Sequence, residues 1–238
     1  MYGYLLWLLI LFPFLLLSAW ASAKVNTTYS KYDRIPNRSN MTGYDTAMRL
    51  MRNRGINDVS VERVNGKLTD HYHPTKKKVN LSMSTYGSAS VGAVAVAAHE
   101  VGHVMQKKEG YIPYKIRHAI VPVANIGSGL AIPLVLIGIL LDFLIETTPW
   151  GRYLVYAGII AYGLATLFML VTLPVEFNAS RRAKKMLVED GILSPDEVGG
   201  ANKVLSAAAM TYVASFLVSL LFFLRFAFIF LSMLRRRN

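Results

Sequence analysis

Apolar residues along this 238-residue chain fall in long blocks rather than in the short periodic stripes of a soluble core. The first block, residues 2–23 (YGYLLWLLILFPFLLLSAWASA), carries no charge and has about the 20 residues that a helix needs to cross the hydrocarbon core. Three more follow late in the chain, at about 120–141, 153–173 and 207–234. The pattern predicts a mostly α membrane protein with about four transmembrane helices. The first block ends in ASAK, which resembles a signal-peptidase site. A cleaved signal has a basic leading segment and a shorter apolar core, and no Lys or Arg precedes this run, so a retained anchor is expected. Arg225 interrupts the last block. A charge at mid-bilayer costs about 2.5–3.5 kcal/mol on insertion scales, so Arg225 is expected near an interface or facing the protein interior. The span is read as ending near 224 with an interfacial tail beyond, and a re-entrant or differently oriented end is the alternative.

The polar region between these blocks has a different rhythm. In NMTGYDTAMRLMRNRG, Thr42 stands three residues before Asp45, Ala47, Leu50 and Met51 share one helical face, and Gly55 lies just past the end; this predicts a short capped amphipathic helix. Val59, Val61 and Val64 then alternate, Asn65-Gly66 marks a turn, and Val79, Leu81 and Met83 resume the alternation. A small antiparallel hairpin or three-stranded sheet is expected there. The polar part thus reads as a small α+β, zincin-like domain. A strand pair before the next helix would offer an exposed edge for an extended peptide.

That next helix is VGAVAVAAHEVGHVMQKK, residues 91–108. Its apolar half is too short to span a bilayer before the charges begin, so the alanines and valines are read as packing for a buried helix.

Charge sets the topology. The formal net charge is +12 and most Lys and Arg lie at 24–118 and 176–203, so both polar regions are expected on the cytoplasmic side, with the N-terminus and the loop DFLIETTPWGR outside. The excess also attracts anionic headgroups. Nucleic-acid binding is not expected, because the basic residues are not interleaved with stacking aromatics. The five N-x-S/T sequons carry no weight in a cytoplasmic segment. The expected organisation is an anchor at 1–23, a cytoplasmic α+β domain at 24–119, two transmembrane helices at 120–174, a cytoplasmic helical segment at 175–206, and a C-terminal transmembrane helix with a basic tail at 207–238.

The chemistry sits on the helix at 91–108. His99 and His103 are four residues apart and share a helical face, so both imidazoles can address one zinc ion. Glu100 follows the first His, as the H-E-x-x-H arrangement requires of a general base acting on a zinc-activated water. Gly102 is read as leaving room beside the metal, and Ala93, Ala95, Ala97 and Ala98 as keeping the helix slim. Catalytic zinc sites usually have three protein ligands and one open position. The best third candidate is Glu176 in LPVEFNASRRAKKML, where an apolar run emerges into polar sequence; an ordinary carboxylate paired with Arg181 or Arg182 is the plainer alternative. His71 and His73, two apart on a strand, compete for the ligand role, and a turn-flanking, substrate-side or structural role also fits them. His118 reads as an interfacial residue leading into a span, or as a group that polarises a substrate carbonyl.

Several segments in this order, LTDHYHPTKKKVNLS, AVAVAAHEVGHVMQ, RHAIVPVANIGSGL, VEFNASRRA and VLSAAAMTYVA, resemble the bacterial YugP-like membrane zinc metallopeptidases over nearly the whole chain. More distantly, H-E-x-x-H with a later E-x-x-A resembles the HtpX and CAAX prenyl protease gluzincins. That resemblance implies Glu176 as third zinc ligand. The distant superfamily carries an Asp four residues after this Glu, and here the position is Ser180, so Asn178, Ser180 or Arg181 would have to orient the ligands.

The expected function is a membrane-embedded zinc-dependent peptidase, more an endopeptidase than an exopeptidase. It would cut proteins at the cytoplasmic face of a bacterial plasma membrane, with one catalytic zinc held by His99, His103 and Glu176 and with Glu100 as base. An intramembrane site-2-type protease is the rival within the same chemistry, although KKEG follows the motif at once. A non-catalytic metal-binding scaffold is the rival from another class; no paired broken helices or repeats suggest transport.

Overall fold

The computed structural model describes residues 2–145 and 149–235. Residues 146–148 of the expected outer loop and 236–238 of the basic tail lie outside the described residues. The elements are α1 (Tyr2–Tyr32), α2 (Gly43–Arg52), β1 (Ser60–Val64), β2 (His71–His73), β3 (Lys78–Ser82), α3 (Met83–Tyr86), α4 (Val91–Lys108), α5 (Ile112–Leu144), α6 (Trp150–Glu189) and α7 (Pro195–Arg235). Among the described residues four helices, α1, α5, α6 and α7, are long and apolar enough to cross a membrane. The protein is mostly α and membrane-spanning, with one small sheet.

These long helices contribute to two compact units. One comprises the described residues of Met1–Ser18, Ile116–Leu173 and Tyr212–Asn238. Its helices approach closely where side chains are small, as membrane helices do: a Cβ added to Gly138 on α5 would stand 2.5 Å from the Gly151 carbonyl oxygen on α6. Thr166 and Ser219 share a 2.9 Å hydrogen bond between α6 and α7. Arg225 does not end α7, which continues as helix to Arg235. Its guanidinium lies 4.9 Å from the centroid of the Trp7 ring, a cation–π arrangement that gives the charge a protein partner.

The second unit comprises Ala19–Lys115 and Pro174–Thr211. Here α1 runs unbroken through Ala23-Lys24. The capped helix forms as the sequence requires: Thr42 and Asp45 make a reciprocal capping box on α2, and Ala47, Leu50 and Met51 are buried. The sheet is three-stranded, the second of the two expected forms, with an antiparallel hairpin in it, but its first strand is parallel. Its order is β1-β3-β2, with β1 parallel to β3 in the register Val61↔Val79 and β2 antiparallel to β3 with Tyr72↔Val79. The chain leaves β1 through Asn65-Gly66, where Gly66 takes φ 104°. It then crosses to the far side of β3, so the hairpin is β2–β3 and its turn includes Lys77 at φ 53°. Val79 and Leu81 are buried in one core with Leu50, Met51, Val94, Val101 and Leu187. That core seats α4 among α2, the sheet and the polar half of α6.

Candidate metal centre and active site

Helix α4 is capped by Ser90, whose Oγ accepts from the Ala93 N–H, and runs from Val91 to Lys108, so its bounds match the stretch singled out in the sequence. Ala93, Ala95, Ala97 and Ala98 have no exposed surface. Gly102 has a different reason from the one expected. A Cβ there would stand 2.7 Å from the Ala179 carbonyl oxygen, so the missing side chain allows the backbones of α4 and α6 to touch, not the metal to enter. Each helix meets the other with a stripe at helical spacing. On α4 it is His99, Gly102, His103 and Gln106; on α6 it is Glu176, Ala179, Ser180 and Ala183.

At this crossing His99 Nε2 lies 3.1 Å from Glu176 Oε2 and His103 Nε2 lies 3.6 Å from the same oxygen. The three ligand atoms lie within 4.8 Å of one another. Donors each about 2.0–2.1 Å from a tetrahedral zinc ion stand roughly 3.4 Å apart, and the two histidine–glutamate distances bracket that value. Two imidazoles and one carboxylate are also a donor set that zinc takes in catalytic sites. Glu176 and His103 are buried and His99 is nearly so.

The imidazoles are held from behind. His103 Nδ1 lies 2.9 Å from Gln106 Oε1. The fully buried Gln106 amide nitrogen donates to the Val175 carbonyl at 2.8 Å and to Asn178 Oδ1 at 3.0 Å. With its nitrogen committed as donor, the Gln106 oxygen must accept, which places the His103 proton on Nδ1 and leaves the Nε2 lone pair facing Glu176. Arg182 Nε donates to Asn178 Oδ1 at 2.7 Å, and Arg182 also pairs with Glu109 at 2.7 Å. His99 Nδ1 lies 3.2 Å from the Ser180 hydroxyl. Of the three residues considered for this orienting role, Ser180 touches a histidine, Asn178 acts through Gln106, and the guanidinium that reaches Asn178 belongs to Arg182, not Arg181.

Glu100 is buried. Desolvation pushes its carboxyl up to about 7, opposed by the neighbouring His99 and reinforced by Glu176 and Asp70, while the Tyr72 backbone holds it by a hydrogen bond. A carboxylate poised near neutrality matches the working range of a general base.

The other histidines do not join this cluster. His71 lies with Nδ1 2.9 Å from the Thr69 carbonyl and Nε2 3.0 Å from the Asn80 amide, and His73 Nδ1 accepts from the Lys76 N–H in the β2–β3 turn. Both serve the hairpin. His118 is exposed on α5. Gln106 is the site residue that sequence reasoning missed, and its one signal was its place one helical turn beyond His103.

Comparison with known proteins agrees with this geometry. A profile of the family described as "Putative neutral zinc metallopeptidase" matches residues 7–231. The chain is 48% identical over 216 residues to the "Putative membrane protease YugP" of Bacillus subtilis (strain 168), covering 91% of this chain and 92% of that protein. No solved structure matches. With nearly the whole chain matched and two histidines and a glutamate that could hold a metal ion at one helix crossing, the protein belongs to the YugP-like family of neutral zinc metallopeptidases.

Proposed function

We propose that the protein is a zinc-dependent endopeptidase that hydrolyses peptide bonds of protein substrates at the cytoplasmic surface of the membrane, with His99, His103 and Glu176 holding the metal and Glu100 acting as general base. The observation that carries this reading is the convergence of the three donor atoms beside a buried carboxylate whose affinity for protons is raised to near neutrality. Bound there, zinc would supply Lewis-acid polarisation of a peptide carbonyl and of a water molecule. Glu100 takes the proton from the attacking water and returns it to the departing amine. The burial of Glu100, His103 and Glu176 limits competing solvent.

Strand β2 stands at one edge of the sheet and its Tyr72 backbone reaches Glu100. An extended substrate segment lying along this edge would place its scissile bond next to the base. The cytoplasmic assignment rests on the concentration of Lys and Arg in the polar regions. A site deep within the bilayer is disfavoured because the charged KKEG segment follows the H-E-x-x-H motif at once and the apolar lead of α4 is too short to span.

The test is Glu100→Gln in the full chain, assayed on an unstructured protein such as casein. Hydrolysis should fall by about 10²–10⁴-fold while bound zinc stays at the wild-type level. Wild-type hydrolysis by this variant would refute the base assignment.

A further inference from the structure

We propose that a groove between α1 and α7 is a binding site for one anionic phospholipid, which holds the headgroup phosphate with lysines and the upper acyl chains with apolar side chains. The groove has a volume of about 580 Å³ and lies wholly within the second unit. That volume falls within the roughly 300–1,000 Å³ usual for ligand sites.

Its walls are two helical stripes. On α1, Trp20, Lys24, Thr27 and Lys31 recur at intervals of three or four residues and so share one face. On α7, Lys203, Ser206, Ala207 and Met210 do the same. The helices contribute opposite sequence directions: α1 leaves its apolar run after Ala23, and α7 enters its apolar run at Ala207. Trp20, Ala207 and Met210 therefore belong to the ends of the stripes that adjoin the apolar runs. Lys24, Lys31 and Lys203 belong to the ends that lead into polar sequence. Lys24 and Lys31 are about 10 Å apart along α1, the span of a headgroup and its glycerol backbone.

Two further observations favour a lipid over a diffuse attraction to the surface. No acidic residue lines the groove, and none of its three lysines is in an ion pair with a carboxylate among the described residues. Beyond Lys31 the groove is closed, because Tyr32 lies directly on α7: a Cβ on Gly200 would stand 2.7 Å from its ring. A phosphate entering from the apolar end thus meets three cations and the hydroxyls of Thr27, Thr28 and Ser206, then a wall. Trp20 is half exposed, as suits an indole at the headgroup level. The inference depends on the chain being a membrane protein and not on its peptidase activity.

The test is native mass spectrometry of the full chain in detergent, titrated with phosphatidylglycerol, phosphatidylcholine or soluble glycerol 3-phosphate. One phosphatidylglycerol per chain should be retained in preference to phosphatidylcholine. A Lys24→Gln, Lys31→Gln, Lys203→Gln triple variant should bind it at least roughly tenfold more weakly. Ser206→Trp, which plugs the groove without changing charge, should also displace it. Arg52→Gln, Arg63→Gln, Lys76→Gln, an equal charge loss elsewhere, should leave binding intact. Undiminished binding by the first triple variant, or equal loss in the second, overturns the proposal. Glycerol 3-phosphate binding as tightly as the lipid would mean that a soluble phosphate compound is the ligand, and also overturns it.

Discussion

Gln106 and His103 are joined by a 2.9 Å hydrogen bond from the imidazole Nδ1 to the amide oxygen, while the amide nitrogen of the same Gln106 is fastened to α6 at Val175. One buried side chain thus fixes a histidine's orientation and the seam between the two helices that carry the metal centre. Gln106→Ala should lower zinc affinity about 10–100-fold. Competition with a zinc chelator measures this, and an unchanged affinity would mean that α4 packing alone orients His103. The variant also leaves the buried His103 Nδ1–H without its acceptor, at a cost of about 1–3 kcal/mol.

Ser180 serves His99 less firmly. Its hydroxyl is 3.2 Å from Nδ1 and carries no charge, so Ser180→Ala should weaken zinc binding less than Gln106→Ala, by roughly two- to tenfold. The same chelator competition ranks the two, and a larger effect at Ser180 would reverse the assigned importance of these contacts.

Gly102 offers a test of the crossing itself. Gly102→Ala forces a methyl group to within 2.7 Å of the Ala179 carbonyl oxygen, so the helices must separate. The expected outcome is a loss of about 1–3 kcal/mol together with weakened zinc binding, because Glu176 is carried on the displaced helix. Gly199→Ala is the control, since a Cβ there meets nothing within 4 Å and should be neutral or slightly stabilising. Thermal unfolding with and without added zinc reads both effects.

Helix α2 gives a test away from the site. Thr42→Ala removes one half of the capping box and should cost about 1 kcal/mol in the same unfolding measurement, with zinc affinity unaltered.

The elements that the sequence made legible are those whose signals are local. The cap at Thr42 and Asp45 announces α2, the two lysines mark the end of α4, and long uncharged runs announce the long helices. The spacing of His99 and His103 is likewise a local pattern, and it singled out two of the three residues that converge at the α4–α6 crossing. What remained hidden depends on pairing between distant segments. Alternation of Val61, Val79 and Leu81 says that strands exist but not that β1 runs parallel to β3, because β2 inserts on the far side. Glu176 stood out only as an acid where an apolar run emerges into polar sequence, with a plain pairing to Arg181 or Arg182 left open until the resemblance was added, and Gly102 was misread, because both depend on the α4–α6 crossing. The unbroken course of α7 past Arg225 had no sequence signal either, since its partner Trp7 lies at the other end of the chain.

The most direct measurement of the central claim is zinc content by inductively coupled plasma mass spectrometry of the purified full chain, compared with Glu176→Ala. The account predicts close to one zinc per wild-type chain and loss of most of it in the variant, because two histidines alone leave the ion one protein ligand short. A wild-type chain without stoichiometric zinc, or a Glu176→Ala chain that holds zinc as tightly as wild type, would contradict it.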